Sequence, residues 1–377
     1  MLTIVADENI PHVEIAVGDL GTVRTVAGRA ITRDVVLEAD VLLVRSVTTV
    51  SAALLEGTRV RFVGSATAGL DHVDADALED AGIAFASAPG SNAASVVDYV
   101  LAALLATGAD RGTGLEGRTL GVIGAGEVGG RLIPRARALG LKVVVCDPPR
   151  AEAGHRDHDY RALEDVLEVA DVVTLHVPLT DGPHATRGLI DLDAVGRMKE
   201  DAWLVNAARG GVLEGAAASA LARSRTVVLD VWPGEPEPDA GLVRDVALGT
   251  PHIAGYALDA KVRGTAVIAQ AVRAWAGAPP WDAGAALPPD PPPLRLSTAS
   301  SERTRWLDAL ARQAYDVRAD AARFRSALEA AGDRAAAFAA LRRGYPLRRE
   351  LSRFRVEGAV PSGLEGAVRT GLGIRVV

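Results

Sequence analysis

Aromatic residues make up only 4% of this 377-residue chain, which holds one cysteine, Cys146, and two methionines. A lone thiol permits no internal disulfide and no cysteine-based metal cluster, and no other metal-ligand set is read in the sequence. Long hydrophobic runs are missing too. The longest, from Val96 to Ala106, is broken by Asp98 near its start and falls short of the roughly 20 apolar residues that a bilayer span requires. The opening MLTIVADENIP has neither the basic start nor the apolar stretch of a secretion signal. A cytoplasmic protein with no membrane partner is therefore expected.

What is present is the composition of a packed globular protein, with 49% hydrophobic and 24% charged residues and enough length for two or three domains. Charge is unevenly spread. The net value is −7, yet the segment from Pro291 onward has 16 arginines against 9 acidic residues, which leaves the remainder near −14. Such a tail can be a nucleic-acid arm, or a folded module whose arginines pair with acids of its own or of a partner subunit. Aromatic residues are sparse among these arginines and no nucleic-acid motif is present. The folded module is favoured, and no nucleic-acid partner is expected.

Over the first 90 residues LTIVAD, VLLVRS, RFVGSAT and IAFASAP read as short strands, with the helical VVLEAD and DADALEDAG between them. That alternation implies a mainly parallel sheet. Asn92 is a candidate N-cap for the long apolar helix AASVVDYVLAALLATGAD. RTLGVIGAGEVGGRLIPRARALGLKVVVCDPP then reads as strand, glycine-rich turn, helix and strand, and further strands follow in DVVTLHVPL, AWLVNAA, TVVLDVW and VALGTPHIAG. Each ends in a polar or turn residue, as in open sheets whose carboxyl ends face a ligand crevice. The proline-rich APPWDAGAALPPDPPP is the clearest linker, and beyond it strands are expected at LRLST, SRFRVEG and GIRVV among several helices.

Gly124, Gly126 and Gly129 form G-x-G-x-x-G between a strand and a helix. Glycine there permits the tight turn and lets backbone and helix N-terminus approach a pyrophosphate. Asp147 lies 18 residues past Gly129 at the end of the next strand. Its carboxylate can accept from ribose hydroxyls and would repel a 2′-phosphate, so the expected cofactor is NAD rather than NADP. Cys146 beside it reads as a small core residue.

Three further polar residues close successive strands: Arg209 in NAARGG, Glu235 in DVWPGEP and His252 in TPHIAG. Oxidation of a 2-hydroxy acid needs a cation for the carboxylate, a base for the hydroxyl proton and a group that tunes the base. Arginine offers a planar fork that matches a carboxylate. Histidine titrates near neutrality, and a neighbouring glutamate stabilises its imidazolium and fixes the ring.

Taken in order, GAGEVG, NAARGG, DVWPGEP and TPHIAG resemble the D-2-hydroxyacid dehydrogenase family. The resemblance implies that Arg209, Glu235 and His252 are catalytic, and that a Rossmann NAD-binding domain is inserted in a flavodoxin-like substrate domain. It also carries cofactor contacts onto Glu127, Val128, Thr174, Ala207, Ala208, Asp230 and Gly255. VADENIP, VRSVT, ATAGLDHVD, CDPPRA, DGPHATRGLID, GTPHIAGYALDAKVRGT, YDVRADAARFR and LRRGYPLRREL extend the likeness over nearly the whole chain. They point to a branch of the family that acts on a small phosphorylated 2-hydroxy acid.

That branch implies substrate contacts at Ser46, Thr67 and Tyr256 and self-association as a homodimer through a C-terminal α/β dimerisation domain. Arg45, Lys261 and Arg263 are the candidates to hold the phosphate, since a dianion usually draws arginine or lysine. Leu70 in ATAGLD and Ala208 in NAAR depart from the family's more usual residues. The expected α/β architecture has residues 1–90 and 255–283 as substrate domain and 91–254 as NAD-binding domain. Residues 284–293 then form a linker and 294–377 the dimerisation domain. Another hydroxyacid dehydrogenase, or an NADH-sensing binding protein without catalysis, are the competing readings. An intact Arg209, Glu235 and His252 favours the enzyme.

Overall fold

Five short strands, β1 (Leu2–Asp7), β2 (Gly21–Val26), β3 (Val41–Val44), β4 (Phe62–Ser65) and β5 (Ala84–Ser87), pair in parallel in the order β2-β1-β3-β4-β5. They form the sheet of the first of two units in this computed structural model, which describes residues 1–295 and 302–377. The first unit comprises Met1–Asn92 and Tyr256–Pro289, and the second Ala93–Gly255 and Asp290–Val377.

In the first unit the inner strands β1, β3 and β4 are mostly apolar on both faces because both are covered. Ile4, Ala6, Val41 and Leu43 share a cluster with Ile268, Ala269 and Val272 of the helix Leu258–Trp275, whereas Val5, Leu42, Val44 and Val63 pack with Ile31, Val36 and Leu78 in the opposite layer. That helix returns from far along the chain and is tied down by Arg273. Its buried guanidinium grips both Asp19 oxygens at 2.6 and 2.8 Å. The strand order is that of a flavodoxin-like sheet.

The second unit holds β6 (Thr119–Ile123), β7 (Lys142–Cys146), β8 (Val172–Leu175), β9 (Trp203–Asn206), β10 (Thr226–Leu229) and β11 (Leu248–Gly249), all parallel, in the order β11-β10-β9-β8-β6-β7. From β6 the chain moves outward to β7 and then returns to β8 on the other flank. The carboxyl ends of β6 and β8 therefore flank the switch point at which doubly wound sheets bind ligands, and the unit is Rossmann-like. The helix Ala93–Arg111 is the one helix among the described residues long and apolar enough to span a membrane, and it is mostly buried inside the protein.

The sequence reading sets residues 294–377 apart as a domain. In the structure they join Ala93–Gly255 in one unit. The helices Val317–Ala330 and Arg334–Arg343 insert Phe324, Leu328 and Phe338 into the cluster that contains Leu229 and Trp232, with the Trp232 and Phe324 rings 5.2 Å apart. The hydroxyl of Thr304, on the helix Arg303–Ala314, accepts the Leu115 N–H at 3.1 Å. Arg318 reaches Asp110 and Asp308 at 2.9 Å each, so arginines of the tail are paired with acids inside the unit. The strands β12 (Arg355–Val356) and β13 (Arg375–Val376) pair in parallel, and Leu294 bridges to Val356. The rest of the expected LRLST strand, from residue 296, lies outside the described residues.

Candidate active site

The glycine turn follows β6. Gly124 has φ 91°, in the left-handed region, and a Cβ there would stand 2.7 Å from the His176 carbonyl oxygen. A Cβ on Gly129 would overlap the Gly124 carbonyl, so the helix Glu127–Ala138 approaches the turn closely only because no side chain intervenes. Gly126 is the N-cap of that helix, with no side-chain cap and with open space where a Cβ would stand. First-turn N–H groups, those of Glu127, Val128 and Gly129, have no partner within their own helix and can face an anion. Beside the turn lies a cavity of about 570 Å³ whose lining includes Ala125, Gly126, Arg131, Arg150, Asp157 and His158. These features fit a dinucleotide.

Asp147 directly follows β7, and one carboxylate oxygen accepts the Ala125 N–H at 2.8 Å and the other the Arg150 N–H at 3.1 Å. The acid thus ties the second strand to the glycine turn. The Arg150 guanidinium is drawn to Tyr160 and Asp157, at 3.1 and 3.2 Å. Burial, then the charge of Asp147, pushes the Cys146 thiol up to about 11, which leaves it unreactive.

Thr174 and Asp230, both expected as cofactor contacts, are fully buried, and their side chains bond inside the protein. The Thr174 hydroxyl pairs with His176 Nε2 at 2.9 Å. Burial pushes His176 down to about 3, so its imidazole is neutral. The Asp230 carboxylate accepts the Thr250 hydroxyl at 2.7 Å and the N–H groups of Ile253 and Ala254 at 2.7 and 2.8 Å. Burial still holds its carboxyl above the ordinary value.

The neighbouring strands β9, β10 and β11 deliver the remaining residues from the same edge of the sheet. After β9, buried Asn206 shapes the Ala207–Ala208–Arg209 loop by accepting the Ala208 N–H and donating to the Arg209 carbonyl, both at 3.0 Å. Arg209 is half-buried. Beyond β10 and β11, Glu235 Oε1 and His252 Nδ1 meet at 2.7 Å, with side chains 21% and 34% exposed. Burial pushes the Glu235 carboxyl up. The His252 hydrogen bond and charge, with the charge of Arg342, outweigh that and hold it below its usual range. His252 itself has φ 58°, and half-buried Gly255 closes the loop at the end of the unit.

The first unit groups its own candidates at the ends of β3 and β4, adjacent strands of its sheet. Ser46 is exposed after β3. Thr67, after β4, bonds the Ser65 hydroxyl at 3.0 Å, and Ser65 reaches His72 Nε2 at 3.0 Å. Tyr256 lies under two cations, Lys261 at 4.7 Å and Arg45 at 5.9 Å from the ring centroid. Arg263 instead donates to the Ser91 carbonyl. Asn206, His176 and Ser65 are not singled out in the sequence, although each follows or ends a strand as a polar residue, which is the same signal that singled out Arg209; His72 lies in a turn and carries no such signal.

A doubly wound parallel sheet with this glycine turn and acidic strand end defines a dinucleotide-binding protein of the Rossmann class. Residues 101–254 match the NAD binding domain of D-isomer specific 2-hydroxyacid dehydrogenases, and residues 287–368 match a domain of unknown function. The chain is 50% identical to the erythronate-4-phosphate dehydrogenase of Salinibacter ruber, with 100% of this chain and 99% of that one covered. It is 47% identical to the enzyme of that name from Pseudomonas aeruginosa, with 100% of both covered. Two solved structures share the fold, each over 73% of this chain. D-lactate dehydrogenase of Aquifex aeolicus, complexed with NAD and lactic acid, has a TM-score of 0.62 at 22% identity over 96% of its chain. 3-Phosphoglycerate dehydrogenase of Entamoeba histolytica, bound to NAD, has a TM-score of 0.62 at 21% identity over 95% of its chain. The chain belongs to the erythronate-4-phosphate dehydrogenase family of D-isomer specific 2-hydroxyacid dehydrogenases.

Proposed function

We propose that the chain oxidises 4-phospho-D-erythronate at C2 to (R)-3-hydroxy-2-oxo-4-phosphobutanoate, a step of pyridoxal 5′-phosphate biosynthesis, with NAD as acceptor. The Glu235–His252 contact at 2.7 Å carries the mechanism. Nδ1 is engaged by the carboxylate, so Nε2 is the nitrogen that exchanges a proton. His252 Nε2 takes the C2 hydroxyl proton, and the ionised Glu235 stabilises the imidazolium that results. NAD, when bound, supplies the acceptor for the hydride that leaves C2. Arg209 holds the substrate carboxylate through its planar fork.

Gly124, Gly126 and Gly129, with the backbone of Glu127 and Val128, would hold the pyrophosphate of NAD, Asp147 its ribose hydroxyls, and the backbones of Ala207, Ala208 and Gly255 its nicotinamide. Thr174 and Asp230 act from beneath, through His176 and the loop 250–254. Ser46, Thr67 and Tyr256 bind the substrate, and Arg45 and Lys261, which already flank Tyr256, hold its phosphate. The protein works in the cytoplasm as a homodimer whose contact is formed by the C-terminal segment. Absorbance of NADH on mixing the protein with NAD and 4-phospho-D-erythronate tests the activity, and light scattering tests the dimer. No turnover, or a monomer at micromolar concentration, counts against the respective proposal.

A further inference from the structure

The loop that carries His252 is held by two groups, Asp230 and Arg348, and the second belongs to the C-terminal segment. A left-handed backbone at a non-glycine residue persists only where the surroundings fix it. From beneath the loop, Asp230 fixes it. Its carbonyl accepts the His252 N–H at 2.7 Å, and its carboxylate accepts the N–H groups of Ile253 and Ala254. Thr250 is held as well, its hydroxyl 2.7 Å from Tyr99 and its carbonyl accepting Trp232 Nε1 at 2.8 Å. One peptide further on, the Ala254 carbonyl accepts from the guanidinium of Arg348.

Arg348 is only 7% exposed, and its guanidinium lies 4.4 Å from the Tyr315 ring centroid and 5.8 Å from that of Tyr345. The Tyr345 hydroxyl donates to Asp320 at 2.6 Å. The next residues are pinned to the helix Ala93–Arg111: Ser95 donates to Glu350 at 3.0 Å, and the Leu351 N–H to Asp98 at 2.8 Å. A buried guanidinium is costly unless its charge and donors are met, so its position is set by these rings and acceptors rather than by chance packing.

We infer that Arg348 is a positioning residue for the reaction: it anchors the Ala254 carbonyl, next to the peptides that Asp230 holds, and thereby sets His252 at the reacting hydroxyl. This rests on the reading of His252 as the proton acceptor. The C-terminal segment then serves the chemistry of its own chain, apart from any part in self-association. Displacement of a catalytic group by about 1 Å costs on the order of 100-fold in rate, so a loosened loop reads out in turnover.

The test uses full-length Arg348→Met, Arg348→Lys and His252→Ala. Turnover is normalised to NADH-binding sites counted by fluorescence titration, and kcat is compared for substrate with hydrogen and deuterium at C2. Arg348→Met is expected to keep its NADH affinity within about two-fold and its KM for NAD, and to lose about 10- to 100-fold in kcat. Its isotope effect on kcat should rise as chemistry becomes limiting. Arg348→Lys retains the charge but offers no fork, and should recover part of the loss.

Wild-type kcat per site and isotope effect in Arg348→Met overturn the inference, whatever its melting temperature. If Arg348→Met does not fold, Arg348→Lys decides, and the same wild-type values there overturn it. His252→Ala reports separately on the underlying reading. Near-normal turnover in that variant removes His252 as the base, whereas an inactive His252→Ala beside unaffected Arg348 variants removes the positioning role alone.

Discussion

Glu235 and His252 form a contact whose acid dependence follows from the direction of one shift. The folded-state carboxyl of Glu235 is lowered, so its contribution to stability is present above the unfolded value, about 4.3, and is lost as pH falls through the folded one. The difference in Tm between wild type and Glu235→Gln should shrink as pH falls below about 4.3. A difference that holds unchanged at pH 3 contradicts the pairing. His252→Ala should leave NAD affinity nearly intact and lower kcat by about 100-fold or more, the usual effect of removing a general base. Arg209→Lys should lower kcat/KM, because a lysine cannot reproduce the bidentate fork, and an unchanged value would assign the carboxylate to another cation. At this scale the sequence was legible where polar residues follow strands, as in Glu235 and His252, which meet at 2.7 Å. It did not show that Asp230, expected as a cofactor contact, holds backbone N–H groups of the His252 loop, because a buried acid of that kind has the same local pattern as one that faces a cofactor.

The strands were readable as elements because their apolar runs are bounded by turn residues, and the glycine turn because its spacing sits between a strand and a helix. Gly129 is the sharpest case. Gly129→Ala places a methyl against the Gly124 carbonyl, so either the turn or the helix must move. That variant should lose at least about ten-fold in NADH affinity by fluorescence titration, since the backbone no longer approaches the pyrophosphate. Unaltered affinity would mean that this turn does not bind the cofactor. Less legible was the arginine-rich tail. Its composition suggested a separate module, yet its arginines meet partners far away in sequence, as Arg318 meets Asp110 and Arg348 meets Ala254. Composition carries no information on which acid or carbonyl lies opposite.

At the scale of the whole molecule, the C-terminal segment completes the core of the NAD-binding unit. Trp306, Phe324 and Phe338 are each no more than 3% exposed. Loss of such side chains costs about 3–5 kcal/mol apiece, which together consumes most of the 5–15 kcal/mol that holds a domain folded. A chain ending at Pro289 should therefore unfold at a much lower temperature or aggregate rather than yield a clean monomer, as calorimetry and light scattering would reveal. A truncated chain with wild-type Tm would show that the segment is independent. The central claim, an NAD-dependent dehydrogenase for a four-carbon phosphorylated hydroxy acid, is tested most directly by one assay. NADH formation is followed with 4-phospho-D-erythronate, 3-phospho-D-glycerate and D-lactate under identical conditions. The kcat/KM for 4-phospho-D-erythronate is expected to be at least about ten-fold above the others, the discrimination that well-placed polar contacts provide. Equal values, or a preference for either shorter acid, would contradict it.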